Sequence, residues 1–137
     1  MIEITTDALP LHSYLLVRED IPLAAQMAQC AHAAQEAAFM LGSAPTEPIH
    51  VVILGCLGES ELLAAASRLS AKGFEPGLFH EPHWPQGHTA LFLKPQRRCA
   101  RLRSAMSSYP LWGASTPSLD ALDLDAGAAE PSLLLCA

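Results

Sequence analysis

The sequence predicts an α/β domain with a four-stranded mixed sheet flanked by helices on both faces. Three observations carry this expectation. Short apolar, β-branched runs alternate with longer segments of strong helix propensity. Gly and Pro punctuate nearly every junction between them. The connection 81–88 between the last two apolar runs is too short for a helical crossover, which permits antiparallel pairing there. Right-handed crossovers make the earlier strands parallel wherever they pair directly.

The elements follow in order. His12 to Val17 reads as a short buried strand, closed by Arg18-Glu19-Asp20 and the turn residue Pro22. Leu23 to Leu41 is alanine-rich and helical, and Gly42 stops it. After a loop marked by Pro45 and Pro48, Ile49 to Leu54 is a second β-branched strand. Glu59 to Lys72 is a second helix that Gly73 caps, with Glu59 and Glu61 suiting its positive N-terminus. Gly55-x-x-Gly58 before it lacks the lysine and spacing of a phosphate loop and reads as a turn. Glu75 to Phe79 and Thr89 to Leu93 are strands, and Gln96 to Ser107 is a third helix.

Residues 1–113 form one domain on this reading, and 114–137 an irregular acidic tail. The tail shows no trusted periodicity, and Leu119, Leu122, Leu124 and Leu133 to Leu135 are its means of packing. Half of the chain is apolar and 16% is charged, as in soluble globular proteins. No apolar run approaches the ~20 residues that span a bilayer. Residues 1–10 carry Glu3 and Asp7 and lack the pattern of a secretory leader. Four scattered cysteines without a CxxC pair suit a reducing compartment, so the expected location is cytoplasmic.

The net charge of −6 conceals an uneven distribution. Residues 114–137 hold four acidic residues and no Lys or Arg, leaving eight basic against ten acidic residues elsewhere. Five of those eight, Lys94, Arg97, Arg98, Arg101 and Arg103, fall within ten positions. Such a patch engages phosphates or forms a solvated helix face.

Residues 28–35, AQCAHAAQ, pose the chemical question. On a helical wheel Met27, Cys30, Ala31, Ala34, Ala38 and Leu41 fall on one side, the expected core stripe. Ala25, Gln29, His32 and Glu36 fall on the other. Cys30 and His32 therefore point about 200° apart, which excludes a thiol nucleophile and its base on this helix. Cys30 reads as a small buried hydrophobe, and His32 as an outward imidazole.

The stretch YLLVREDIPLAAQMAQCAHAA, Tyr14 to Ala34, resembles the first strand and helix of the type 2 peptidyl-tRNA hydrolase family. There a strand ending V-R-x-D leads into a helix bearing A-Q-C-S-H-A-A. Phe79-His80-Glu81-Pro82 and Thr89-Ala90-Leu91 resemble the third strand, an acidic position and the threonine-bearing fourth strand. Element order and spacing agree from about Tyr14 to Trp112, closest to a bacterial and phage-like branch.

The resemblance implies hydrolysis of the ester between a peptide and the 3′ ribose of tRNA. It places His32 as the proton-handling or substrate-positioning group, Glu81 beside it, and the Thr89 hydroxyl on water or substrate. Arg18, Lys94, Arg97, Arg98 and Arg101 would hold phosphates, and the protein would be a homodimer without membrane association or cofactor. Two departures stand out. Ala25 occupies the place of a family lysine seven residues before the histidine, and Glu81 replaces an aspartate with a shorter loop after it. The alternative is a non-catalytic tRNA- or protein-binding module that keeps the fold.

His80, His83 and His88 with Glu81 are the densest group of metal-ligand types, but H-x-x-H-x₄-H matches no established ligand spacing, so no metal is expected. Trp84 in the same loop suits stacking on an unpaired base or packing over a sheet edge.

Overall fold

A computed structural model of the chain describes residues 9–81 and 87–114. His83, Trp84 and the tail beyond Ala114 lie outside the described residues. The elements are β1 (Leu11–Arg18), α1 (Leu23–Phe39), β2 (Ile49–Cys56), α2 (Glu59–Ala71), β3 (Gly77–His80), β4 (His88–Phe92), β5 (Gln96–Arg97) and α3 (Ala100–Met106). They form an α/β fold around one mixed, open sheet of order β2-β1-β4-β3, with β5 pairing the start of β1. No helix among the described residues is long and apolar enough to cross a membrane.

β1 is central because it is apolar on both faces, as a strand buried under helices on each side must be. Leu15, Leu16 and Val17 are all buried. β2 runs parallel to β1 through the α1 crossover, from Leu11↔Ile49 to Arg18↔Cys56. β4 runs antiparallel to β1 on its other side, and β3 antiparallel to β4, as the short connection permits. β3 thus sits beyond β4 instead of beside β1 or β2.

Alternation along β1 divides the core in two. Leu16 joins α2 and α3 through Leu62, Leu69, Leu102 and Met106, while Leu15 faces α1 through Ala33 and Ala37. Helices therefore cover both faces. α1 meets the Leu15 face of the sheet through the small side chains of Ala33 and Ala37.

The structure corrects the sequence reading at two places. The third helix begins at Ala100, because Gln96 and Arg97 are drawn into antiparallel pairing with His12 and Leu11. α1 is rotated from the expected phase: its buried residues are Gln26, Gln29, Cys30, Ala33 and Ala37, whereas Met27 and Ala31 are exposed. With alanines almost all round, the apolar pattern carries little phase information. Two glutamines face inward because the interior offers them partners.

Candidate functional site

The carboxyl ends of β1, β2 and β3 and the start of β4 meet at one end of the sheet, where α/β proteins commonly place their sites. Arg18 ends β1 there, only 8% exposed. Its Nε and Nη2 donate to Asp20 Oδ1 and Oδ2, each at 2.8 Å, in a bidentate pair. Its Nη1 donates to the His88 carbonyl oxygen at 3.2 Å and lies 3.8 Å from Glu59 Oε2. Glu59 Oε2 also accepts the backbone N–H of His88 at 2.7 Å. Gly87 makes that approach feasible: at φ +73 its missing Cβ would lie 1.8 Å from the same carboxylate oxygen. The rings of His80 and His88 meet edge to face at 5.3 Å.

Arg18 therefore ties β1, α2 and β4 together, and its guanidinium is turned into this network. Its hydrogen bonds to Asp20 hold that carboxyl below the usual carboxylate range. A carboxyl with a depressed folded pKa contributes stability that is complete above its unfolded value and is lost as pH falls through the folded one. The Asp20→Asn variant should therefore show a shallower loss of stability on acidification. Denaturant midpoints from neutral pH down to about pH 3 test this; parallel curves for the two proteins would refute the pairing.

The second part of the site lies on the α1 face. Between the pairs Phe79↔Ala90 and His80↔His88, β4 carries one more residue than β3. That residue is Thr89, and the bulge turns its side chain toward α1. Thr89 is fully buried, and its hydroxyl donates to Gln29 Oε1 at 2.6 Å, with the Phe79 carbonyl oxygen 3.4 Å away. Valine at position 89 would take the hydroxyl donor away from the buried Gln29 Oε1, an expected cost of about 1–3 kcal/mol. A urea denaturation midpoint unchanged in Thr89→Val would contradict this. The Gln29→Met partner variant should recover part of the loss when the two are combined.

His32 is exposed and stacks on Phe79 with centroids 4.9 Å apart and planes 7° from parallel. Two of the sequence-derived candidates thus lie next to Phe79, His32 against its ring and Thr89 near its backbone carbonyl. Glu81 follows β3 by one residue and is half-buried; no hydrogen bond or ion pair joins it to His32 among the described residues. The Thr89 hydroxyl faces Gln29 instead of solvent. Burial raises the Cys30 thiol to about 11 and the Cys56 thiol, next to Glu61, to about 12. Both are protonated at neutral pH, which suits structural cysteines and no nucleophile.

The basic residues lie at the other end of β1. Arg97 pairs opposite Leu11, donates to the Leu9 carbonyl oxygen at 2.6 Å and bridges Glu47 at 2.6 Å. Arg101 sits over the Phe74 ring, its guanidinium carbon 4.7 Å from the centroid. Arg98 and Arg103, with Ser104 and Ser107, line an open groove of about 580 Å³. Lys94 is exposed. From Leu11 to Val17 the strand rise separates this end from the Phe79 level by about 20 Å.

Sequence reasoning missed the structural glutamines. Gln26 Nε2 donates to the carbonyl oxygens of Glu19 and Ile21, and its Oε1 accepts from Trp112 Nε1 at 2.7 Å. The signal was present as two glutamines three apart on an alanine-rich helix. It was outweighed by Met27 and Leu41, which suggested the wrong core side. Among the described residues no three or more His, Cys, Asp or Glu side chains are grouped to hold a metal ion. His83 lies outside that set. No family model matches the chain, and no curated protein does either.

Proposed function

We propose that this protein is a peptidyl-tRNA hydrolase-like enzyme that cleaves the ester between a peptide and the 3′ ribose of tRNA. The observation that carries the reading is the position of His32. It is an exposed imidazole held flat against Phe79, beside the carboxyl end of the sheet. In the reaction His32 takes a proton from water as the water attacks the ester carbonyl and gives it to the departing 3′ oxygen as the ester C–O bond breaks, releasing the peptide acid and the free 3′ hydroxyl. Phe79 keeps the ring from turning, and Thr89 acts through Gln29 to fix the β4 bulge behind it. Glu81 is near enough in sequence to Phe79 to bias the electrostatics of the same edge.

Lys94, Arg98 and Arg101, at the far end of β1, hold phosphates, while Arg18 and Arg97 serve mainly as internal ties. A separation of about 20 Å suits an elongated substrate with its backbone at one end and its reacting ester at the other. The likeness to the type 2 hydrolase fold, the cytoplasmic location and the homodimer belong to the same proposal. A second reading, a binding module without turnover, draws support from the buried Thr89 hydroxyl and from Ala25. Release of tRNA from an N-blocked aminoacyl-tRNA by the purified protein decides between them. Release no faster than in buffer, with binding that weakens steeply in salt, would leave the binding module.

A further inference from the structure

The two sides of α3 face different surroundings. Leu102, Ala105 and Met106 are buried in the core layer with Leu16 and Leu62. Ala100, Arg103, Ser104 and Ser107 recur at the spacing i, i+3, i+4, i+7, so they form one stripe along the exposed side. That stripe lines the groove of about 580 Å³, and Arg98 and Leu9 complete the lining. Ala100, Ser104 and Ser107 are short, which leaves space beside the two long guanidinium side chains. Pockets for small ligands span roughly 300–1,000 Å³, so the groove has room for a phosphate together with its attached sugar.

Positive charge at this groove is uncompensated. Residues 94–109 contain no Asp or Glu. The neighbouring arginines are engaged elsewhere: Arg97 bridges Glu47, and Arg101 lies over the Phe74 ring. Among the described residues no carboxylate bridges Arg98 or Arg103. Ser107 donates its hydroxyl proton to the Ser104 carbonyl oxygen at 2.7 Å, so of the two serines it is Ser104 that has a proton to give. A forked guanidinium matches phosphate oxygens in pairs, which a single ammonium does not.

We propose that the α3 groove is a discrete phosphate-binding site, in which Arg98 and Arg103 clamp one phosphodiester of an RNA backbone and the Ser104 hydroxyl donates to it. Leu9 and Ala100 offer an apolar wall to the C–H face of the attached ribose. This deepens the proposed function and rests on it only for RNA as the source of the phosphate. It adds Arg103 and Ser104 to the binding surface and puts one built pocket in place of a diffuse patch.

The test follows the arginine Nε–H signals of the full chain, ¹⁵N-labelled at arginine. Inorganic phosphate is titrated first, then a short RNA hairpin with an unpaired 3′ end. Arg98 and Arg103 should move together with one midpoint in each titration, while Arg68, held over the Tyr109 ring, stays in place. In Arg103→Gln the RNA Kd should rise about tenfold and the salt slope should fall by about one. Arg103→Lys separates a built site from a charged surface: lysine keeps the charge and loses the fork, so it should lose nearly as much as glutamine. Unchanged affinity in Arg103→Lys would overturn the clamp, as would phosphate responses no larger at Arg98 and Arg103 than at Arg68. A phosphate response with RNA affinity unchanged in Arg103→Gln would overturn RNA as the source and assign the groove to a small phosphorylated ligand. Hydrolysis is not measured, so a chain without turnover leaves each of these outcomes distinct.

Discussion

Replacing His32 by alanine is expected to lower ester hydrolysis by roughly 10²–10⁴-fold, the usual contribution of a positioned proton-transfer group. The side chain is exposed, so the fold should survive its removal. The companion variant His32→Phe separates two roles. Phenylalanine keeps a flat ring over Phe79, where the imidazole now stacks at 4.9 Å, but it cannot accept a proton. If His32 moves a proton, both variants lose turnover to the same degree. Activity retained in His32→Phe would instead assign the residue a stacking role, and unchanged rates in both would remove it from the mechanism. Measured as single-turnover release of tRNA, the rates report chemistry free of product release.

The second large effect concerns the core. Leu16→Ala should destabilise the domain by about 2–5 kcal/mol, since the truncation removes apolar contact and leaves a cavity. Leu16 is fully buried on β1, between the sheet and the layer formed by Leu62, Leu69, Leu102 and Met106. Side chains from two helices meet there, and the cost grows with the gap they leave. Leu15, one residue earlier, faces the smaller side chains of Ala33 and Ala37. Denaturant unfolding of both alanine variants measures the comparison, and a Leu16→Ala loss under about 1 kcal/mol would mean that the α2–α3 layer collapses onto the sheet.

The same contrast explains how much of the fold was legible. β1, β2 and α2 were readable because their apolar residues recur with a clear period and end at distinct turn residues. The antiparallel return of β4 followed from the length of its connection. The phase of α1 was not readable, because alanine fits a buried or an exposed position nearly equally and gives a wheel no contrast. Nor was the start of α3: Gln96 and Arg97 have the composition of a helix start, yet they pair with His12 and Leu11 of β1 as β5.

The candidate site divides along a similar line. His32, Glu81 and Thr89 were visible as residue types in a recognisable order, and the sequence by itself placed them on three separate segments, a helix, a loop and a strand. It determined equally that Cys30 and His32 point apart, since helical rotation fixes that angle whatever surrounds the helix. Only the tertiary structure decided which groups face water. One additional residue in β4 turns Thr89 into the interior, and Asp20 binds the Arg18 guanidinium at the end of β1. The first comes from strand pairing between distant segments, and Arg18 is held inward also by Glu59 and His88, far along the chain from it. Sheet register and the burial of charge are set by partners far along the chain, and a local pattern of residues carries no record of those distances.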